Sequence, residues 1–345
     1  MTKHLPDIPW LHSLRVSPDG YTAFLTEETQ ASAVLLSVDL RTLQITAAPE
    51  PEKSPEPAPV CRVFDTLEQF RSAYGLHTRF RHTVPGQTVT EALTCPAGIL
   101  FLSMDEQGQH LCLQTPDGIH VLKTAAYPMP HAAECSAIAH LWTAQAGAPL
   151  LVWLSGEEAG DSCPLFRFWV GQMPGLGCHV LWLPAAASVE QAEAAIEDAA
   201  EKLNPSAVAL FGVHQGASLA YSLMAGGRDY AAVIAMDGIA NLVGRMGIHP
   251  ETPEQSAEAL WKSSALSKAA AFRTPTLLFS NSADHVFGFY ETQQIFQALI
   301  DRSVPAKMIC FHEDGPLLTS KENWSCFLME ATAWLRQYLF AGGEG

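Results

Sequence analysis

Between Leu150 and Phe340 short apolar runs alternate with helix-length segments, and this alternation constrains the chain more than any other feature. Leu150 to Leu154 is a continuous apolar run ending at Ser155-Gly156, and Cys178 to Leu183 is a second. Uninterrupted apolar runs of this length suit strands buried on both faces, which is the condition of a parallel sheet covered by helices. Ser188-Val189-Glu190-Gln191 opens a helix with capping-box chemistry, and Asn204-Pro205 stops it. The spacing then predicts a strand at Ala207–Phe211, a helix at Gly216–Ala225 and a strand at Ala231–Met236. A helical stretch near Glu254–Ala269 follows. Then come a strand at Thr276–Phe279, a helix at Tyr290–Arg302, a strand at Ala306–His312 and a helix at Trp324–Phe340. Repeated β–α alternation implies a mostly parallel sheet with helices on both faces.

The first 125 residues carry a different pattern. Turn signals at Ser17-Pro18-Asp19-Gly20, Asp105-Glu106-Gln107-Gly108 and Thr115-Pro116-Asp117-Gly118 separate short strands. The strands are expected at Ser13–Val16, Tyr21–Thr26 and Ala33–Val38, and again at Gly98–Met104, His110–Gln114 and Ile119–Lys123. Between the groups, residues 48–59 hold five prolines in twelve positions. Such a segment neither pairs as sheet nor winds as helix, and is expected as an extended linker, with a short helix at Phe64–Tyr74. The expected organisation is a small β-rich domain over residues 1–125 and an α/β domain over 126–345.

Composition narrows the function classes. At 345 residues, with 48% hydrophobic and 16% charged, the chain can bury a sizeable core. Acidic residues outnumber basic ones 36 to 20, for a net charge of −16, which disfavours nucleic acid and anionic membrane surfaces as partners. The one basic cluster, Arg71, His77, Arg79, Arg81 and His82, reads as a solvated face. No apolar run reaches membrane-span or signal-peptide length. The eight cysteines show no metal-ligand spacing, so neither a zinc site nor a dense disulfide framework is expected. Buried thiols in a reducing, cytoplasmic setting, with no cofactor, are the expectation.

The segment richest in chemistry is Ala209-Leu210-Phe211-Gly212-Val213-His214-Gln215-Gly216-Ala217. An apolar strand ends in Gly-x-His-x-Gly, and a helix begins at once. Glycines two before and two after the central residue permit a sharp strand-to-helix turn that lifts its side chain above the sheet. The segment resembles the nucleophile elbow of the α/β-hydrolases, Gly-x-Ser-x-Gly, with histidine in the place of serine. From about Pro149 to Leu339 the order of elements is similar to the prolyl oligopeptidase-like branch of that superfamily. Pro149 to Gly156 resembles the strand leading into its His-Gly-Gly loop, and Ser264 to Ala269 its Ser-Pro-Leu segment. Thr274 to Asp284 resembles the strand and loop that deliver the triad's acid, and Phe311 to Leu317 falls where the family has its histidine loop. The Ser-Pro-Asp-Gly segment resembles a blade of the branch's β-propeller, although ~125 residues hold two or three blades of ~40–45 residues, too few to close a ring.

The departures from that family set the functional expectation. At the positions matching the triad stand His214, Asp284 and Pro316. Proline takes no proton, imidazole is not a hydroxyl, and losing the serine or the histidine of such a triad costs on the order of a million-fold in turnover. Glu157, Glu158 and Asp161 stand near where an oxyanion would form, and carboxylates there oppose its negative charge. Ordinary serine hydrolysis is therefore not expected. One expectation is a pseudohydrolase that binds a small molecule, a peptide or a protein, with Gly156, Glu157, Glu158, Gln215 and Asp237 as ligand-binding candidates and no metal. The alternative is acid–base catalysis by a His214–Asp284 dyad, as in an epimerase, lyase, cyclase or weak hydrolase, with His285 and His312 nearby. Asp237 has a second reading, as a carboxylate capping the turn beside Gly238. As substitute nucleophiles, Ser218 suits core packing better, Ser155 and Cys163 lack an elbow to strain them forward, and Cys178 at a strand start is expected to be buried. Trp142, Trp153, Trp169 and Trp182 are expected to pack. The insertion from Asn241 to Lys262, with Met246 and Trp261, is a candidate lid.

Overall fold

A computed structural model describes residues 10–17, 19–28, 33–48, 88–105, 108–126, 140–155, 164–184, 187–245, 256–282, 288–311, 318 and 321–340. The chain divides into two compact units, Met1–Met129 and Pro130–Gly345. The linker residues 49–59, the helix expected at 64–74 and the basic cluster at 71–82 lie outside the described residues.

The first unit holds two four-stranded antiparallel sheets, each a meander in sequence order. One contains β1 (Trp10–Val16), β2 (Thr22–Glu28), β3 (Ala33–Asp39) and β4 (Gln44–Ala47). The other contains β5 (Thr88–Cys95), β6 (Gly98–Asp105), β7 (Gly108–Thr115) and β8 (Gly118–Ala126). The sequence yields six of these strands; β4 and β5 were not expected. The Ser17–Gly20 turn closes with Gly20 N–H donating to the Ser17 carbonyl at 2.8 Å, and Asp19 accepts the Tyr21 N–H at 3.1 Å. Gly20 sits at φ 77°, where glycine alone is unstrained, and a Cβ there would run into the Pro96 ring. One core joins the sheets: Leu11, Leu25 and Val38 pack with Leu100, Leu102, Leu111 and Leu113. Each sheet is thus a four-stranded meander closed by short turns.

The second unit is a seven-stranded sheet in the order β15-β14-β13-β12-β10-β11-β9. Its strands are β9 (His140–Trp142), β10 (Leu150–Ser155), β11 (His179–Pro184), β12 (Val208–Val213), β13 (Ala232–Met236), β14 (Thr276–Asn281) and β15 (Ala306–Phe311). All adjacent pairs are parallel except β11 with β9. Every residue of β10, β13 and β14 is buried, including the polar Ser155, Thr276, Ser280 and Asn281 at the strand ends, as central strands covered on both faces require. The helices are α1 (Pro164–Gly171), α2 (Val189–Leu203), α3 (Gln215–Ala225), α4 (Ala257–Ser263), α5 (Phe289–Ile300) and α6 (Lys321–Tyr338). Helix α2 begins with the full capping box: Ser188 accepts the Gln191 N–H while Gln191 accepts the Ser188 N–H. It ends at Asn204 in the left-handed conformation.

Alternation along the strands gives the sheet two cores. Leu150, Val152, Leu154, Leu210, Val233, Ala235 and Leu278 pack with Ala217, Ala220, Tyr221 and Met224 of α3 and Ile295 and Leu299 of α5. The next residues along β12 and β14, Phe211 and Phe279, point the other way into an aromatic cluster with Phe166 and Trp169 of α1 and Trp324 and Phe327 of α6. Ring centroids there lie 4.9–5.5 Å apart, mostly edge to face or tilted. Trp153 and Trp169 are thus packing residues. The helix expected across Glu254–Ala269 is broken in two. Ser264 takes an extended conformation between α4 and a 3-10 turn at Ala265–Ala271, its hydroxyl donating to the Leu260 carbonyl and accepting the Leu242 N–H.

Candidate functional site

The elbow has the backbone its glycines imply. A Cβ on Gly212 would strike the backbone of Gly216, and one on Gly216 would strike the carbonyl of Leu154 on β10. Helix α3 therefore lies against β10 and β12 at backbone contact distance, and only glycine fits at either place. Between them His214 is held at φ 53°, ψ −115°. A side chain with a Cβ occupies such a conformation at a cost of about 1–3 kcal/mol, met by surrounding structure. Here His214 N–H donates to the Met236 carbonyl at 2.8 Å, and its own carbonyl accepts the Ser218 N–H at 3.0 Å. The His214 side chain is half-buried, and its Nε2 is enclosed from solvent. Gln215, the first residue of α3, is exposed beside it.

The next strand ends in the same way. Asp237, just past β13, lies at φ 52°, so two adjacent strands terminate in non-glycine residues at positive φ. Val213, Met236, Phe279 and Ile309 form one row across β12, β13, β14 and β15. His214, Asp237, Ser280 and Cys310 are the residues that follow them at the carboxyl end of the sheet, where ligands of open α/β sheets bind.

Asp237 does not project over the sheet toward a ligand. Its residue is fully buried, and its carboxylate accepts the Asn281 N–H at 2.9 Å and the Asn281 side-chain amide at 3.1 Å. The carboxylate expected to face a ligand is thus engaged with the end of the neighbouring strand. The bond crosses to β14, so Asp237 does not merely cap its own turn either.

The segment after Asp237 is wired to the elements around it. Ile239 N–H donates to Ser218 Oγ at 2.7 Å, Ala240 and Asn241 N–H donate to the Glu291 carboxylate, and Asn241 donates to Gln294. Gly238 packs on the ring of Tyr221, a fully buried residue of α3. Burial, then the carboxylates of Asp237 and Glu291, hold the Tyr221 phenol protonated far above its ordinary range. Asn281, Glu291 and the Ser218 bond escaped sequence reasoning. The signal was present, since Asp237 and Asn281 end neighbouring strands, but it needs the strand register to be seen.

Three substitute nucleophiles are occupied otherwise. Ser218 also donates to the His214 carbonyl, Ser155 accepts from the Trp182 indole, and burial pushes the Cys178 thiol up to about 12. Asp284, Gly156, Glu157, Glu158, Asp161, Cys163, Met246, His285, His312 and Pro316 lie outside the described residues. Of the candidate lid, 241–245 and 256–262 are described, and Trp261 is partly exposed on α4. Among the described residues no cluster of three or more His, Cys, Asp or Glu side chains stands ready for a metal ion, and no helix is long and apolar enough to cross a membrane.

Comparison with known proteins agrees with this fold. Residues 187–341 match the model of the prolyl oligopeptidase family. The acylaminoacyl peptidase of Pyrococcus horikoshii is 10% identical over 96% of this chain and 56% of its own, with a TM-score of 0.55. A puromycin-hydrolyzing peptidase of Mycobacterium tuberculosis is 13% identical over 94% and 53%, with a TM-score of 0.54. A puromycin hydrolase is 15% identical over 95% and 53%, also at 0.54. The chain thus spans little more than half the length of these solved proteins. No curated protein matches the sequence.

Proposed function

Given a C-terminal unit that is an α/β-hydrolase domain of the prolyl oligopeptidase-like branch, we propose that this chain is a pseudohydrolase: it keeps the elbow and sheet of a hydrolase and uses the site to bind. The observation that carries the proposal is His214. The backbone that presents a nucleophile is intact at φ 53°, yet it presents an imidazole whose Nε2 is enclosed. A serine works by its deprotonated hydroxyl, and a second residue must take the proton. Here the sequence has Pro316 where that base belongs, and Ser218, Ser155 and Cys178 are held in packing and hydrogen bonds. The ligand is a small molecule, a peptide or a segment of a protein, read by the imidazole and the exposed Gln215. The peptidase and puromycin-hydrolysing activities named for the similar structures do not carry over, because they belong to proteins nearly twice as long.

Labelling with a fluorophosphonate probe, mapped by peptide mass, tests the proposal. The expected result is no serine adduct under conditions where a control serine hydrolase labels fully. A mapped serine adduct overturns it.

The retained strain at His214 favours one second reading, in which His214 and Asp284 act as an acid–base pair on a substrate proton. In that case His214→Ala abolishes turnover of the substrate while leaving the fold, read by circular dichroism, unchanged.

A further inference from the structure

We infer that the buried Asp237–Asn281 pair is the positioning element of the elbow site: it fixes the carboxyl end of β14 relative to His214. The inference rests on the reading of the elbow as a binding site and names what sets its geometry. Asp237 and Asn281 are both fully buried, and both Asp237 oxygens are directed at the one residue. A carboxylate that accepts a backbone N–H and a side-chain amide of one residue fixes both its position and its rotation. Asn281 ends β14, three residues before Asp284 in sequence. At the other end, Asp237 follows the strand whose Met236 carbonyl accepts the His214 N–H, and Asp237 N–H donates to the Phe279 carbonyl. Strand ends are ~4.8 Å apart, so any shift of Asn281 is felt one strand away at Asp237 and two away at His214. Ser218 closes the loop on the helix side, bonding both His214 and Ile239. The positive φ of Asp237 is then intelligible, because that turn directs its carboxylate across to β14 instead of along β13.

The test is the rate at which diethyl pyrocarbonate modifies His214, mapped by peptide mass in the full chain. This readout needs neither ligand nor turnover, so it stands even if a fluorophosphonate adduct removes the pseudohydrolase reading. In the wild type His214 reacts slowly. Asn281→Asp sets two carboxylates against each other and is expected to speed His214 modification at least ~10-fold through local opening. The exchange variant Asp237→Asn with Asn281→Asp rebuilds the pair, because the new amide donates to the new carboxylate while its oxygen still accepts the backbone N–H of position 281. It is expected to return the rate to within about 2-fold of wild type. His179, buried in the same sheet, reports unfolding of the whole unit. If Asn281→Asp exposes His179 as well, Asn281→Ala replaces it, with the same acceleration expected at His214 alone. An unchanged His214 rate in the folded single variants, or no recovery in the exchange variant, overturns the inference.

Discussion

Gly216 and His179 show how single side chains carry weight in opposite ways. At Gly216 the space is taken by the Leu154 carbonyl, a backbone atom with no freedom to move aside. Gly216→Ala is therefore expected to destabilise the C-terminal unit by about 2–4 kcal/mol, read as a shift in urea midpoint with an unchanged slope. A loss below ~1 kcal/mol means that the elbow has slack. His179 is buried, and its Nδ1 accepts the Ala144 N–H at 2.9 Å, which only the neutral ring can do. Burial holds its proton affinity below the ordinary value of 6.5. In the window just below 6.5 the unfolded chain takes up a proton that the folded chain refuses, so stability rises with pH there. The contribution is present above 6.5 and is lost as pH falls toward the depressed folded value. His179→Gln is expected to flatten that part of the stability–pH curve between pH 7 and 5, measured by chemical denaturation. An equally steep curve in the variant assigns the slope to other groups. Neither effect is visible in the sequence, where His179 is one polar residue at the head of an apolar run.

Among the elements, the aromatic layer under the sheet decides how α1 and α6 hold on. Phe327 touches Phe166, Trp169, Phe211, Phe279 and Trp324, all within 6 Å between ring centres. Phe327→Ala is expected to cost about 3–5 kcal/mol, with loss of near-ultraviolet dichroism before far-ultraviolet signal on heating. Much at this scale was legible beforehand. Helix α2 was read from Ser188, Gln191 and Asn204 because caps are local chemistry, and β10, β12, β13 and β14 from apolar runs of strand length. What was missed lacked a local signal. Strand β9 has three residues, and β5 carries three threonines and a glutamate among its eight. Helix α1 is a short aromatic segment without a polar face to mark its period. The single helix expected across Glu254–Ala269 failed at Ser264, whose hydroxyl serves two separated backbone groups and so favours an extended residue over a helical one. The elbow was legible to the residue. The Asp237–Asn281 bond was not, since it joins positions 44 apart that only the sheet register brings together.

At the scale of the whole chain, net charge and ion pairs act in opposite directions. Lys123–Glu27, Lys202–Asp198, Arg228–Glu197, Lys262–Glu258 and Lys307–Glu330 are all solvent-accessible, and such pairs contribute ~0–1 kcal/mol each. Against them stands a surplus of 16 acidic groups that repel one another. Salt screens both, and with pairs this exposed the surplus is expected to dominate. Raising sodium chloride from 10 to 300 mM is expected to raise the thermal midpoint, measured by dichroism at pH 7; a falling midpoint would give the ion pairs the larger share. The two units have separate cores, one of leucines between two meanders and one on each face of the parallel sheet. Along the sequence the period changes as well, from turn-punctuated strands before residue 125 to alternating strands and helices after 149.

The fit between Gly212, Gly216 and the Leu154 carbonyl has a consequence for protein engineering. Reactive groups are easily exchanged, one codon at a time, but a backbone bend that holds a side chain off its natural conformation is hard to invent. This chain still owns the bend. Anyone wishing to install a new nucleophile has a ready mount at position 214, and must supply beside it a residue to take the proton.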